Sequence, residues 1–250
     1  MRIFSIHQFQ MNLRMLGWVL ADLLFPRHCE HCLEVMSHEN RTYLCDGCFD
    51  LIGWIPEPAC HICAKPFPGL ERKICSPCSR SHFSYEACYA IAIYEGLLKE
   101  LLRLLKFAKA EYLVSTFQRM FLAKEKIPFS KENVDIILPV PLHPLKMRER
   151  GFNQACILGE AIRDKIQRPL LKGVLIRAKY SGGQTLQDRK DRLLNIQGSF
   201  KCKNIKRIEG KRVLLVDDVL TTGATIEECS RVLKEAGASS VTVWVLARSI

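Results

Sequence analysis

The chain has 250 residues, 48% hydrophobic and 25% charged, with 14 glycines and 11 prolines. That balance excludes a disordered or collagen-like chain and leaves room for one large domain or two small ones. A formal net charge of +11 points to an anionic partner, and 12 cysteines pose a choice between disulfides and metal.

The first apolar stretch, Met15 to Phe25, is interrupted by Asp22 and stops before Pro26. It is too short to span a bilayer and is followed by no small-residue cleavage site. It predicts an amphipathic helix within a lead-in over residues 1–28. No spanning segment follows it. A cytoplasmic protein is expected, and a signal peptide is the competing reading of this stretch.

Eight cysteines then form four Cys-x-x-Cys knuckles: Cys29/Cys32, Cys45/Cys48, Cys60/Cys63 and Cys75/Cys78. Each knuckle places two thiolates at the spacing tetrahedral zinc needs, and two knuckles complete a shell. A redox pair would come singly with a thioredoxin-like unit, and a chain this long and apolar needs no disulfide stapling. Two structural zinc sites are therefore expected in a double zinc-ribbon module over 29–79. The linker-like Pro56-Glu57-Pro58 favours pairing consecutive knuckles, and a cross-braced pairing of alternate knuckles is the other option. His28, His31 and His61 are surplus to two four-thiolate shells. Cys88, Cys156, Cys202 and Cys229 are scattered and read as ordinary, mostly core, residues. Zinc bound by four thiolates lowers the charge, leaving roughly +7.

Beyond Cys78 the pattern becomes α/β, and 80–250 is expected to form one domain. Strands are predicted at Ala87–Tyr94, Val134–Leu138, Leu170–Ile176, Val213–Val216 and Val241–Leu246. Helices are predicted at Gly96–Lys106, Tyr112–Ala123, Gly151–Ile166 and Ile226–Ala236. Alternation of this kind implies a largely parallel sheet flanked by helices, with ligands at the carboxyl ends of the strands. Two basic loops join that end. Lys146 to Gln154 combines Arg148, Arg150, Asn153 and Gln154 with Gly151, which suits pyrophosphate clamping. Arg177 to Arg192 is the second, which either serves the site or is only a solvated surface. A cluster of Lys201, Lys203, Lys206, Arg207, Lys211 and Arg212 suits weak contact with single-stranded nucleic acid, or merely solvates a hairpin.

The densest signal is Arg212 to Thr225. A buried strand stops at Asp217 and Asp218, and Thr221-Thr222-Gly223-Ala224-Thr225 then opens a helix. Backbone N–H groups at a helix N-terminus bind phosphate well, and Gly223 permits close approach. Carboxylates beside a phosphate must contact something else. Ribose hydroxyls or a magnesium ion are the obvious partners, so the site suits a phosphorylated sugar.

This string closely resembles the phosphoribosyl-pyrophosphate (PRPP) signature of type I phosphoribosyltransferases. The resemblance implies that Asp217 and Asp218 hold the ribose hydroxyls and that Thr221, Thr222, Gly223, Ala224 and Thr225 wrap the 5′-phosphate. The chain as a whole resembles the ComF (ComFC) family, a double zinc ribbon fused to a phosphoribosyltransferase domain. The match runs through the knuckles, Arg148, Arg150, Gly151, Phe152, Asn153 and Gln154, then Gln184, Thr185, Arg189 and Asn195, then the PRPP string. It implies a role in natural transformation and uptake of single-stranded DNA, with DNA-uptake proteins as partners and a location in the cytoplasm or at the inner face of the membrane.

Two functional readings compete. In the first, a PRPP-dependent transferase uses magnesium; Asp217, Asp218 and Arg150 carry catalysis, and Arg148 joins the PRPP-binding set. In the second, a non-catalytic module senses PRPP or a nucleotide, or binds DNA or protein. A redox or secreted cysteine protein ranks behind both.

Overall fold

A computed structural model of the chain describes residues 26–37, 42–67, 73–123, 127–179 and 196–250. The expected helix at Met15–Phe25 and the positions Gln184, Thr185, Arg189 and Asn195 lie outside the described residues. The chain divides into two compact units, Met1–Leu51 and Ile52–Ile250.

The first unit holds an antiparallel pair, β1 (Arg27–His28) and β2 (Val35–Met36), and a single helical turn, α1 (Asp46–Phe49). The second unit repeats the ribbon pattern, with its helical turn α2 at Ser76–Ser79, and continues without a break in packing into the α/β elements. The turns α1 and α2 begin directly after Cys45 and Cys75, which act as their N-caps. The third and fourth cysteines of each quartet therefore face one point.

In chain order the second unit then runs β3 (Ala87–Ile93), α3 (Gly96–Phe107), a 3-10 turn at Glu111–Leu113, α4 (Val114–Ala123), β4 (Ile136–Pro139), α5 (Pro144–Arg150), α6 (Gln154–Ile166), β5 (Leu175–Arg177), β6 (Phe200–Cys202), β7 (Arg212–Leu220), α7 (Ala224–Glu235) and β8 (Ser240–Arg248). Four strands form a parallel sheet in the order β3-β8-β7-β4. Strands buried on both faces read as apolar runs, and β7 and β8 show it: Val213 to Val216 and Val243 to Ala247 are at most 1% exposed.

One face of the sheet carries α3, α4 and α6. The stripe Leu97, Leu98, Leu101, Leu102 and Leu105 of α3 is buried, and Phe121 of α4 packs edge-on against Trp244 of β8 with ring centroids 5.4 Å apart. The other face carries α7, the β5–β6 hairpin and the second ribbon. Ile226, Cys229, Val232 and Leu233 share one core with Phe200, Val243 and Val245 and with Cys60, Ile62, Ala64 and Cys78. The cysteine spacing ends at residue 79, whereas the packing boundary falls between Leu51 and Ile52.

Both outer strands of the sheet are covered by short segments. Gly53 and Ile55 exchange backbone bonds with Ile93 and Ile91 along β3 (2.7 and 3.0 Å), and Trp54 bridges Ala92. Pro169 and Leu171 do the same for Ile137 of β4, both at 2.9 Å.

Three expected elements differ from those observed. The predicted strand Leu170–Ile176 contributes only a bridge between Leu170 and Ile137, and its end becomes β5, paired antiparallel with β6 outside the main sheet. Gly173, with φ of +74°, breaks the run between the two roles. The loop expected around Arg148 and Arg150 is instead α5: His143 caps it by accepting from the Leu145 N–H, Pro144 starts it and Gly151 ends it at φ +90°. The strand expected to stop at Asp217 runs on to Leu220, because β8 continues beside it as far as Arg248.

The shared core makes the second ribbon part of the sheet's fold. Residues 52–250 are expected to unfold cooperatively in urea when zinc is supplied. Residues 80–250, which lack Ile62 and its neighbours, should be less stable by more than about 4 kcal/mol, since removing one such side chain from a core costs about 2–5 kcal/mol. Equal midpoints and slopes for the two fragments would contradict this.

Candidate functional site

The two cysteine quartets form as consecutive pairs. The sulfur atoms of Cys29, Cys32, Cys45 and Cys48 lie within 4.8 Å of one another, as do those of Cys60, Cys63, Cys75 and Cys78. Cross-bracing is thereby excluded. Cys32 and Cys45 are 3.6 Å apart at sulfur, and Cys63 and Cys75 are 3.8 Å apart. A zinc–sulfur bond of about 2.3 Å gives a tetrahedron with an edge of about 3.8 Å, so the donor sets fit zinc. Backbone N–H groups point at the sulfurs: Cys45 donates to Cys29 at 3.4 Å and Cys75 to Cys60 at 3.3 Å. Burial opposes ionisation of Cys29 and Cys60, but several backbone N–H donors, led by Cys32 for Cys29 and by Cys75 for Cys60, outweigh it and bring the thiols down to about 6 and about 7. His28, His31 and His61 stand outside both quartets. Cys88 and Cys229 are core residues, while Cys156 and Cys202 are half-buried.

The second candidate site forms where β7 leaves the sheet. Alternation along the strand sends its two carboxylates to opposite faces. Asp218, 7% exposed, lies on the face of α3 and α6. Lys106 from the last turn of α3 pairs with its Oδ2 at 2.5 Å, and Gln154 from the first turn of α6 donates to the same oxygen at 3.4 Å. Asp217 lies towards α7. Burial and then the neighbouring Asp218 carboxylate push Asp217 up to about 8. Burial, with the Asp217 charge adding to it, raises the Cys229 thiol beneath. Asp217 Oδ1 also accepts the Asp218 N–H at 2.9 Å.

Past Leu220 the chain turns through Thr221 and Thr222 to Gly223, at φ +86°, which is the N-cap of α7. No side chain caps this end in the usual way. Thr222 Oγ1 accepts only a long bond, 3.4 Å, from the Ala224 N–H. The first turn of α7 therefore presents backbone donors beside the carboxylates, the arrangement that suits an anion.

The Arg-Glu-Arg-Gly-Phe-Asn-Gln segment is used in parts. Half-buried Arg150 lies close enough to feel both aspartates; desolvation lowers its pKa and the two carboxylates work against that. Arg148 is an exposed residue of α5. Asn153 caps α6 by accepting from the Ala155 N–H at 2.9 Å and donates to the Val140 carbonyl at 2.9 Å, fixing the exit of β4. The structure thus brings Gln154 onto Asp218 and sets Arg150 within electrostatic reach of both aspartates, shortly before the turn that opens α7.

Three charged residues of this region escaped the sequence reading. Lys106 continues the α3 stripe Leu98–Leu102 at the next i+4 position, and a cation on an apolar stripe is the signal that was available. Arg248 follows the apolar run Val243 to Ala247 at the end of β8, and it donates to the carbonyls of Leu220 and Thr221. Glu227, in the first turn of α7, accepts from the Ser84 hydroxyl at 2.7 Å.

Asp217 has a stability consequence. Between its ordinary value of 3.8 and about 8, the native chain holds a proton that the unfolded chain has released. Raising the pH through that window therefore destabilises the fold. The stability gain of Asp217→Asn over the wild type should grow by at least about 1.4 kcal/mol between pH 5 and pH 8, the free-energy equivalent of a tenfold change in proton affinity. Urea titrations at the two pH values check it, and a pH-independent difference would count against it.

Comparison with known proteins matches both regions of the chain to known domains. A phosphoribosyl transferase domain model matches residues 157–249 and a double zinc ribbon model matches residues 20–79. Competence protein F of Haemophilus influenzae is 30% identical over 229 residues, covering 90% of this chain and 98% of that protein. Competence protein ComFC of Bacillus subtilis is 29% identical over 216 residues, covering 77% and 85%. The DNA utilization protein YhgH of Escherichia coli is 26% identical over 179 residues, covering 70% and 78%. With a parallel phosphoribosyltransferase-type sheet, two zinc-ribbon quartets and this end-to-end similarity, the chain belongs to the ComF (ComFC) family.

Proposed function

We propose that the chain binds PRPP at the end of β7 and transfers its phosphoribosyl group during the handling of incoming DNA. One observation carries the reading: a strand bearing an acidic pair turns, within five residues of Asp218, at a positive-φ glycine that opens an uncapped helix. The 5′-phosphate takes the N–H groups of Thr221 to Thr225. Asp217 and Asp218 take the ribose hydroxyls, with Lys106 and Gln154 holding the Asp218 carboxylate in place. Arg150 offsets the pyrophosphate charge, and exposed Arg148 joins it from α5.

In the reaction, the bond between ribose C1 and the pyrophosphate oxygen breaks and pyrophosphate leaves with the electron pair. The acceptor's lone pair forms the new bond at C1. Positioning and charge stabilisation supply the catalysis, since no side chain need act as a nucleophile. Magnesium, a hard cation that prefers oxygen, would be held by the ligand's own oxygens, and by Asp217 once its proton is displaced, and would supply positive charge beside the pyrophosphate.

PRPP should bind in a magnesium-dependent way. The double substitution Asp217→Ala and Asp218→Ala should weaken binding by roughly 1.5–3 kcal/mol for each charge-assisted bond lost. Calorimetry showing unchanged affinity refutes the site. Release of pyrophosphate with nucleobases, amines or DNA as acceptors separates the transferase from a module that binds PRPP without turnover.

Single-stranded DNA is the proposed macromolecular partner; the name of one relative, DNA utilization protein, supports DNA as the polymer. Lys201, Lys203, Lys206, Arg207 and Lys211 are all exposed on β6 and the segment after it, whereas Arg212 is tied to Asp135 at 2.8 Å. No helix of the described residues is long and apolar enough to cross a membrane, and we place the protein in the cytoplasm, at the inner face of the membrane where DNA would arrive. Log affinity should fall with log salt at about −0.7 per phosphate contacted. Replacing Lys201, Lys203, Lys206 and Arg207 by Gln should flatten that slope and leave PRPP affinity unchanged. Fluorescence anisotropy with no binding at low salt removes DNA from the proposal.

A further inference from the structure

Arg248 closes β8 level with Leu220 of β7, and it is 6% exposed. Its guanidinium donates from Nε to the Cys63 carbonyl at 2.7 Å, and from Nη1 to the carbonyls of Leu220, at 2.7 Å, and Thr221. One planar cation thus joins a zinc-ligand residue to the two residues that open the phosphate turn. The knuckle it touches is gripped at three consecutive carbonyls. His61 O accepts from the Cys88 N–H at 2.6 Å and Ile62 O from the Tyr85 hydroxyl at 3.1 Å, with Cys63 O taken by Arg248. A parallel tie runs from the chain just after this ribbon: Ser84 donates through its N–H and its hydroxyl to Glu227, in the first turn of α7. None of these bonds involves the first quartet, which lies in the other compact unit.

The carbonyls of a Cys-x-x-Cys turn keep their directions while both thiolates are fixed on a metal. If the turn relaxes, the buried guanidinium loses an acceptor that water cannot readily replace, and its hold on Leu220 and Thr221 shifts with it. We infer that the Cys60–Cys63–Cys75–Cys78 zinc site positions the Asp217–Thr225 turn for its anionic ligand, with Arg248 as the positioning residue that transmits the constraint. This rests on reading the turn as a phosphate site. A lysine does not replace the fork, because an ammonium is a point donor on a flexible stem. By linkage, a ligand on the turn stabilises the second zinc by the same factor that this zinc strengthens the ligand.

The test uses the full chain with zinc and compares the wild type with Arg248→Lys, Cys75→Ser and Cys45→Ser. The amides of Ser249 and Glu227, bonded to Leu220 O at 3.0 Å and Gly223 O at 2.9 Å, report how firmly the turn is anchored. Their hydrogen exchange should quicken about tenfold in Arg248→Lys and Cys75→Ser and stay unchanged in Cys45→Ser, as local opening becomes easier. Arg248→Lys should keep both zinc ions, so it remains decisive if Cys75→Ser fails to fold. Exchange in Arg248→Lys equal to the wild type overturns the inference. A second arm uses a Cys45→Ser background, in which the second zinc is the one that remains. PRPP with magnesium should slow chelator-driven zinc loss about fivefold or more, and Arg248→Lys should abolish that effect. PRPP that binds by calorimetry without slowing zinc loss overturns the inference and spares the phosphate-site reading. PRPP that does not bind at all sinks the phosphate-site reading, and the amide exchange then decides the inference alone.

Discussion

A carboxylate taken out of water at the end of a central strand needs a partner, and the site is organised around that requirement. The effective penalty for burying an ion is several kcal/mol unless charge and hydrogen bonds offset it. Asp218 meets it with Lys106 at 2.5 Å and Gln154 at 3.4 Å. Those two side chains come from the end of α3 and the start of α6, so two helices are fixed against β7 through one oxygen atom. Asp217, one residue earlier, faces the opposite side and is only partly buried, and desolvation with the neighbouring Asp218 carboxylate favours its protonated form. Adjacent identical residues therefore differ in chemistry because a strand alternates its faces.

How much of this was legible in the sequence depends on whether the signal was local. The quartets, the β7–turn–α7 unit and the parallel sheet all rest on spacing within a few residues or on alternation of elements, and the structure reproduces them. The stretch after Leu170 misled because its apolar content resembles a sheet strand, while Gly173 divides it between an edge bridge and a hairpin. The helix α5 was hidden by its charge, since Pro144 to Arg150 buries no side chain and has no apolar face to read. Lys106 and Arg248 were hidden by distance. Lys106 meets Asp218 across 112 positions of sequence, and Arg248 meets Cys63 across 185. No window of sequence contains both members of such a pair.

The two ribbons make the same point from the other direction. Their cysteine spacings are nearly identical, as are the helical turns that begin at Cys45 and Cys75. Their surroundings are not. The second quartet lies beside Ile62, Ala64, Tyr85 and the sheet residues Val243 and Val245 in one continuous core. The first quartet belongs to a unit whose described strands span two residues each. Equal metal chemistry thus serves two structural ends. In a small unit it supplies folding energy that the core cannot. In the larger unit it stiffens one wall of an existing core.

The short segments along the outer strands carry a different consequence. An open parallel sheet ends in rows of unpaired donors and acceptors, which are templates for another chain. Here Gly53 to Ile55 occupies the flank of β3, and Pro169 to Leu171 occupies the flank of β4. Neither segment is long enough to count as a further strand. Each interrupts the ladder with a proline nearby, Pro56 on one side and Pro169 on the other. With these flanks in place the sheet offers no continuous rail along which a misfolded neighbour can zip.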